Sequence, residues 1–178
     1  YYIVHLVPKN GIAVSYRLAA FNNWPFLLLT PMITNGGEAP IDIKKINSAI
    51  FNPGAISGLS AQTQVKGRQV SVRGGLAVYD KNVLPTKMVF NDPVRGYGFT
   101  FALAPSGHGQ CGIDLKSIGN SWQGSIVSDY APGFRLKPQE TLEADTLFIA
   151  FGNQETMNDI NYSWMLSLLK WPVLPKDA

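Results

Sequence analysis

Short apolar runs alternate with turn residues along most of this 178-residue chain. Residues 1–7 and 12–21 are two apolar runs, and residues 8–11, Pro-Lys-Asn-Gly, separate them in a way that predicts a β-hairpin. Residues 146–151 give the clearest single strand, because β-branched and aromatic side chains predominate there and Gly152 follows. Over the whole chain, the pattern predicts a mainly β fold, a β-sandwich of ten or more short antiparallel strands.

The other predicted strands lie at residues 26–29, 41–46, 64–72, 76–79, 87–90, 98–103, 111–115 and 125–130. Turn residues separate several of them, as at residues 35–37, Asn-Gly-Gly, and at residues 52–54, Asn-Pro-Gly. A parallel α/β fold would need helical segments between successive strands, and the sequence has no such segments there.

A different period begins after the last strand and predicts one amphipathic helix. Apolar side chains recur there at spacings of three and four, at Met157, Ile160, Trp164 and Leu168. Asn153 is suited to cap the helix, and Pro172 prevents its continuation. We therefore predict a β-sandwich over residues 1–152, a closing helix of the same domain over residues 153–171, and a linker over residues 172–178 toward a following domain.

Composition narrows the classes of partner. Charged residues make up 15% of the chain, against about 25% in typical globular proteins, which favours a substantial core and a face covered by another structure. The net charge of the chain is +3. Its basic residues are dispersed along the sequence rather than clustered, so we predict no nucleic-acid partner. No apolar run approaches the ~20 residues of a transmembrane helix, so we predict no membrane span.

Candidate catalytic and metal-binding residues are few. His108 and Cys111 are three positions apart, but His5 is the only other histidine and there is no second cysteine, whereas a zinc site needs three or four protein ligands. A cysteine nucleophile paired with His108 or His5 lacks a recognisable oxyanion or orienting motif, and Ser106 lacks the Gly-x-Ser-x-Gly elbow. We predict no catalytic residue, no metal site and no cofactor.

Trp122 is the best candidate for contact with a ligand or another domain. It lies in a polar stretch, residues 119–124, where we expect a loop. An exposed tryptophan can stack on the apolar face of a sugar ring. The alternative is a tryptophan in the core or at a domain interface.

The end of the chain supplies a family resemblance. Residues 136–152 combine a leucine-proline-acidic phrase with a strand, and the predicted helix and the proline-containing residues 171–175 follow them. In this order they resemble the end of the N-terminal β-supersandwich domain of α-galactosidase-like glycoside hydrolases, of the melibiase or family 36 type. Residues 74–80 and 96–101 are similar to strands that precede this junction.

The resemblance implies a function without a catalytic site in this chain. Both catalytic aspartates of that family lie on a (β/α)8 barrel that follows the β-supersandwich domain. The resemblance therefore implies a non-catalytic accessory domain that packs on the barrel of the same polypeptide and shapes its rim. The alternatives are a free-standing carbohydrate-binding module and a structural or adhesive β-sandwich. A sugar epimerase is a more distant alternative, because it needs histidine and carboxylate acid–base partners and His5 and His108 are the only histidines.

Overall fold

A computed structural model of the chain describes residues 2–6, 10–21, 25–57, 60–65, 68–72, 87–92, 94–104, 106, 108–118 and 121–153. Twelve β-strands lie in these ranges: β1 Tyr2–His5, β2 Ile12–Ala20, β3 Phe26–Asn35, β4 Ile41–Ser57, β5 Ser60–Val65, β6 Arg68–Val72, β7 Lys87–Asn91, β8 Tyr97–Ala104, β9 Gln110–Ile118, β10 Ser121–Leu136, β11 Thr141–Glu143 and β12 Thr146–Asn153. The predicted strand at 76–79, the helix beyond Asn153 and the linker at 172–178 lie outside the described residues.

The strands form two antiparallel sheets. The larger sheet has nine strands in the order β1-β2-β3-β12-β8-β7-β5-β6, with β11 also pairing with β3. The smaller sheet has three strands in the order β4-β10-β9. The predicted mainly β sandwich is confirmed.

Two strands are much longer than the pattern predicted. β4 has 17 residues and β10 has 16, and the predicted turn at residues 52–54 lies within β4. The two strands pair almost end to end, with register shifts such as the one between Trp122 and Gly124. β10 advances from Trp122 to Gly124 while β4 passes from Ile56 to Phe51, so the residues of the predicted turn form an irregularity within β4 and do not end the strand.

The position of Pro31 in β3 explains why a proline is tolerated in a central strand. On one side of β3, pairing with β12 ends at Leu29 and pairing with β11 begins at Met32. Pro31 therefore lies at the gap between two partner strands, where the missing N–H removes no ladder hydrogen bond on that side. Its carbonyl oxygen still accepts a hydrogen bond from the backbone N–H of Ala144 at 2.9 Å.

The main core lies between the two sheets. Alternate residues of the strands point inward, as the period of two requires. The buried residues of this core are Met88, Phe90, Phe101, Leu103 and Leu147 from the larger sheet and Ile113, Leu115, Trp122 and Ile126 from the smaller. A second cluster between the sheets contains Ile33, Ile46, Tyr130, Leu136 and Leu142. Together they bind the sheets into one sandwich.

Candidate functional site

Trp122 lies in the core and not in a surface loop. It is on β10, its side chain is 3% exposed, and its ring meets Phe90 edge to face with the ring centroids 5.4 Å apart. The expectation of a loop over residues 119–124 was wrong for the described residues 121–124, because pairing with β9 and β4 extends β10 through them. A sugar or interdomain contact of Trp122 stays a prediction, and burial of the indole argues against it.

His108 and Cys111 are close in sequence but differ in environment. The His108 side chain is exposed and its ring lies against Phe134, with the centroids 5.3 Å apart. Burial, followed by the negative charge of Asp145, raises the pKa of the Cys111 thiol to about 12. A nucleophilic cysteine needs the opposite shift. In this arrangement Cys111 is a protonated packing residue at neutral pH.

A buried polar cluster lies beside Cys111. Asp145, Tyr130 and Ser128 are each almost completely buried. One carboxylate oxygen of Asp145 accepts a hydrogen bond from the backbone N–H of Ser106 at 2.6 Å. Burial and the charge of Asp145 raise the pKa of Tyr130 to about 12. Among the described residues, Asp145 Oδ2, Tyr130 Oη and Ser128 Oγ are buried without a hydrogen-bond partner, so these polar groups lower the stability of the fold.

Acidic and metal-ligating residues are dispersed in the described ranges. No group of three or more His, Cys, Asp or Glu side chains there is arranged to hold a metal ion. The same ranges contain no helix with the length and apolar character that crossing a membrane requires.

An exposed apolar edge is the feature that the sequence pattern did not single out. β1 is at one edge of the larger sheet. Its side chains are exposed on both faces, and we call Tyr2, Ile3, Val4 and Leu6 the β1 edge; Tyr2 is 75% exposed. An apolar edge strand that remains open is a site for contact with another structure. The apolar run at residues 1–7 was the available sequence signal for this edge, but such a run is equally typical of a buried strand.

A second exposed group lies where β8 begins and β12 ends. Tyr97 is 67% exposed and Phe151 is 46% exposed. Tyr97 pairs with Asn153, and Phe151 pairs with Phe99, so Tyr97 and Phe151 are diagonal neighbours on one face of the sheet. We call Tyr97 and Phe151 the aromatic pair.

No protein-family model and no curated protein sequence matches the chain. Solved structures do match its fold. The α-galactosidase from Lactobacillus brevis is 14% identical with a TM-score of 0.53, and the match covers 80% of this chain and 21% of that chain. A GH36 α-galactosidase from Geobacillus stearothermophilus in complex with raffinose is 12% identical with a TM-score of 0.53, over 80% of this chain and 22% of that chain.

A third solved structure extends over more of the chain. It is a protein from Klebsiella pneumoniae named for a proposed aldose 1-epimerase activity, 9% identical with a TM-score of 0.50, over 93% of this chain and 53% of that chain. The chain thus has the sandwich fold of one part of GH36 α-galactosidases, and it spans about a fifth of their length.

Proposed function

We propose that this chain is the non-catalytic N-terminal accessory domain of a glycoside hydrolase of the α-galactosidase type. In this proposal it packs on a (β/α)8 catalytic barrel of the same polypeptide and shapes the rim of the active site. The observation that carries the proposal is the partial match, which covers 80% of this chain but only 21–22% of the α-galactosidases. The unmatched remainder of those enzymes can therefore hold the catalytic residues.

The β1 edge supports the proposal and is our candidate for the surface that contacts the barrel. Its apolar side chains are exposed on both faces of an edge strand. Interface cores are depleted in charged residues and enriched in apolar side chains. Tyr2 and Ile3 supply an aromatic and an aliphatic side chain of this kind. The low charged fraction of the chain, 15%, agrees with a covered surface.

The direct test is the coding sequence beyond residue 178 together with an assay of the encoded protein. We expect a barrel with two catalytic aspartates, and hydrolysis of raffinose by the longer polypeptide but not by residues 1–178 alone. Absence of such a barrel, or hydrolysis by the isolated chain, would refute the proposal.

Substitutions in the longer polypeptide then test the docking surface. Val4→Lys places a charge in the β1 edge and is expected to lower the thermal midpoint of the assembled protein. Ile50→Lys is the matched control, because Ile50 is also an exposed aliphatic side chain, on β4 of the other sheet. Equal effects of the two substitutions would exclude the β1 edge as the interdomain contact.

The aromatic pair favours a second candidate, a free-standing carbohydrate-binding module. Two exposed rings on one sheet face can stack on sugar rings at little entropic cost. NMR titration with galactosides and plant polysaccharides should then shift the Tyr97 and Phe151 resonances saturably, and Tyr97→Ala should remove the effect. No saturable shift with any of these sugars would eliminate the module.

A further inference from the structure

The side of β1 that faces away from β2 presents backbone groups as well as exposed side chains. Among the described strands, β1 pairs with β2 alone. The N–H of Leu6 donates to the carbonyl oxygen of Val14 at 2.9 Å, and hydrogen-bonded and non-hydrogen-bonded positions alternate along an antiparallel ladder. Val4 therefore bonds to β2 as Leu6 does, whereas the N–H and C=O groups of Ile3 and His5 point away from β2. We call these N–H and C=O groups of Ile3 and His5 the outward groups.

β1 lacks charged side chains, prolines and β-bulges, which commonly keep an edge strand from pairing with another chain. Residues 2–6, Tyr-Ile-Val-His-Leu, contain no Lys, Arg, Asp, Glu or Pro. The register between β1 and β2 runs without a shift. The outer strands β4, β6 and β9 do carry charged residues, namely Asp42, Lys44 and Lys45 in β4, Arg68 in β6, and Asp114 and Lys116 in β9.

We propose that the outward groups pair with the same groups of a second copy of this chain, in an antiparallel dimer whose two-fold axis passes beside Val4. A two-fold axis uses the same surface on both copies, so a strand that pairs with itself runs antiparallel. With Val4 opposite Val4, Ile3 of each copy lies opposite His5 of the other, and each such pair exchanges both of its N–H···O=C hydrogen bonds. An axis at Ile3 or at His5 would instead place the other residue opposite residue 1 or 7, outside β1.

The same register brings apolar side chains of the two copies together. Opposite residues of an antiparallel pair point to one face of the sheet, with Cβ atoms about 5 Å apart. Tyr2 of each copy therefore meets Leu6 of the other, and Val4 meets Val4. These side chains are exposed in the single chain. Because residues 2–6 include no Lys, Arg, Asp or Glu, the pairing brings no like charges together.

A second copy fits the outward groups better than a catalytic barrel does. The strands of a (β/α)8 barrel pair with one another around a closed ring, so they present no open edge. A second copy offers an identical open edge. Edge pairing uses backbone groups and leaves both faces of β1 accessible, so it is compatible with the barrel contact proposed above and does not depend on it.

The concentration dependence of the molecular mass tests whether the dimer forms. A standard interface buries about 800 Å² on each partner, and one pair of short strands buries less, so the dimer should dissociate in the micromolar range. Sedimentation equilibrium of the 178-residue chain should show monomer at low micromolar and dimer at high micromolar concentration. A monomer at every concentration up to about 1 mM would overturn the proposal.

A proline at position 3 tests whether the backbone of β1 makes the contact. Ile3→Pro removes an outward N–H group but no hydrogen bond to β2, so the fold should persist while association weakens at least about tenfold. Ile3→Ala is the matched control, because it shortens the same side chain and keeps the N–H group. It should associate more tightly than Ile3→Pro. Equal association of the two variants would place the contact elsewhere and overturn the proposal.

Amide hydrogen exchange of the unsubstituted chain tests the same contact without a mutation. Val4 and Leu6 donate to β2 and should exchange slowly at every concentration. Ile3 and His5 should exchange quickly in dilute solution and slow at least about tenfold as the dimer forms. A dimer in which these two amides exchange as quickly as in the monomer would overturn the proposal. Since no barrel is present in this chain, these outcomes are separate from those of the hydrolysis assay.

Discussion

Phe90 on β7 and Trp122 on β10 meet edge to face at the centre of the sandwich, with ring centroids 5.4 Å apart and an interplanar angle of 88°. The two residues belong to different sheets. Their contact therefore joins the layers, and it fills the space between them with two large rings in the geometry that aromatic pairs prefer.

Trp122→Ala should lower the free energy of unfolding by about 3–5 kcal/mol, because it removes a buried ring and leaves a cavity. Trp122→Phe keeps part of the ring volume and should cost less. Urea unfolding of the three proteins measures both effects. A Trp122→Ala protein of unchanged stability that no longer binds a sugar would contradict the core assignment and restore the predicted stacking role.

The side chain of Asn35 joins the turn that contains Gly37 and Ala39 to the end of β10. Its buried side-chain amide donates hydrogen bonds to the carbonyl oxygens of Ala39 at 2.8 Å and Leu136 at 3.1 Å, and its side-chain oxygen accepts one from the N–H of Gly37 at 3.0 Å. Asn35→Ala leaves these backbone groups without their hydrogen-bond partner. It should lower the free energy of unfolding, measured with a chemical denaturant, by about 2–3 kcal/mol.

The conservative change and a neighbour provide the controls for Asn35. Asn35→Asp should be at least as destabilising, since one carboxylate oxygen would face two carbonyl oxygens. Thr34→Ala removes only an exposed hydroxyl contact with Thr141 and should have an effect below about 1 kcal/mol. Similar losses for Thr34→Ala and Asn35→Ala would refute the special role of the amide.

The Cys111 thiol should resist alkylation in the folded protein. Its pKa is raised to about 12, first by burial and then by Asp145, so the reactive thiolate is scarce at pH 8. We expect iodoacetamide to modify it at least tenfold more slowly in the folded than in the urea-unfolded chain. The chain has a single cysteine, so mass spectrometry reports this site alone. Equal rates would show that the fold neither shields the thiol nor raises its pKa.

Stability should fall at alkaline pH because of Tyr130 and Cys111. Both pKa values are raised to about 12 in the folded protein, from 10.0 and 9.0. The folded state therefore holds protons that the unfolded state releases, and their contribution is complete below pH 9 and is lost as the pH rises toward 12. Chemical unfolding across pH 8–11 should give a shallower decline for Tyr130→Phe than for the wild type. Parallel declines would exclude Tyr130 as a source.

Alanine substitutions at two glycines with positive φ distinguish the cost of backbone strain from the cost of a steric clash. Gly124 has a φ of 142°, and a Cβ atom there would collide with the carbonyl oxygen of Asp114 on β9. Gly96 has a φ of 71°, and a Cβ atom there would meet nothing within 4 Å. Gly124→Ala should therefore cost several kcal/mol and Gly96→Ala about 1 kcal/mol. Thermal unfolding of both variants tests the order, and a reversed order would refute it.

The strands with local signals were predictable. Residues 12–21 and 146–151 alternate or continue in apolar side chains, and the structure places β2 and β12 there. β11 was missed, because three residues leave no period to detect. The single strand predicted at residues 64–72 is a hairpin of β5 and β6, and only pairing decides where such a polar segment turns.

The burial or exposure of the candidate residues could not be predicted without the tertiary fold. The polar neighbours of Trp122 predicted a surface loop, but pairing on both sides holds the segment in β10 and turns the ring inward. The exposure of the β1 edge depends on its position at the margin of the larger sheet, and an apolar run alone does not reveal whether another layer covers it.

By itself the sequence determined a charge-poor β-sandwich without a recognisable catalytic motif, because strand periodicity, turn residues and missing ligand combinations are local properties. Tertiary structure decided how the described strands divide into two sheets, the burial of Trp122, the raised pKa of Cys111 and the exposure of the β1 edge. Each of these depends on contacts between residues far apart in the chain, and such contacts exist only once the strands have paired and the sheets have packed.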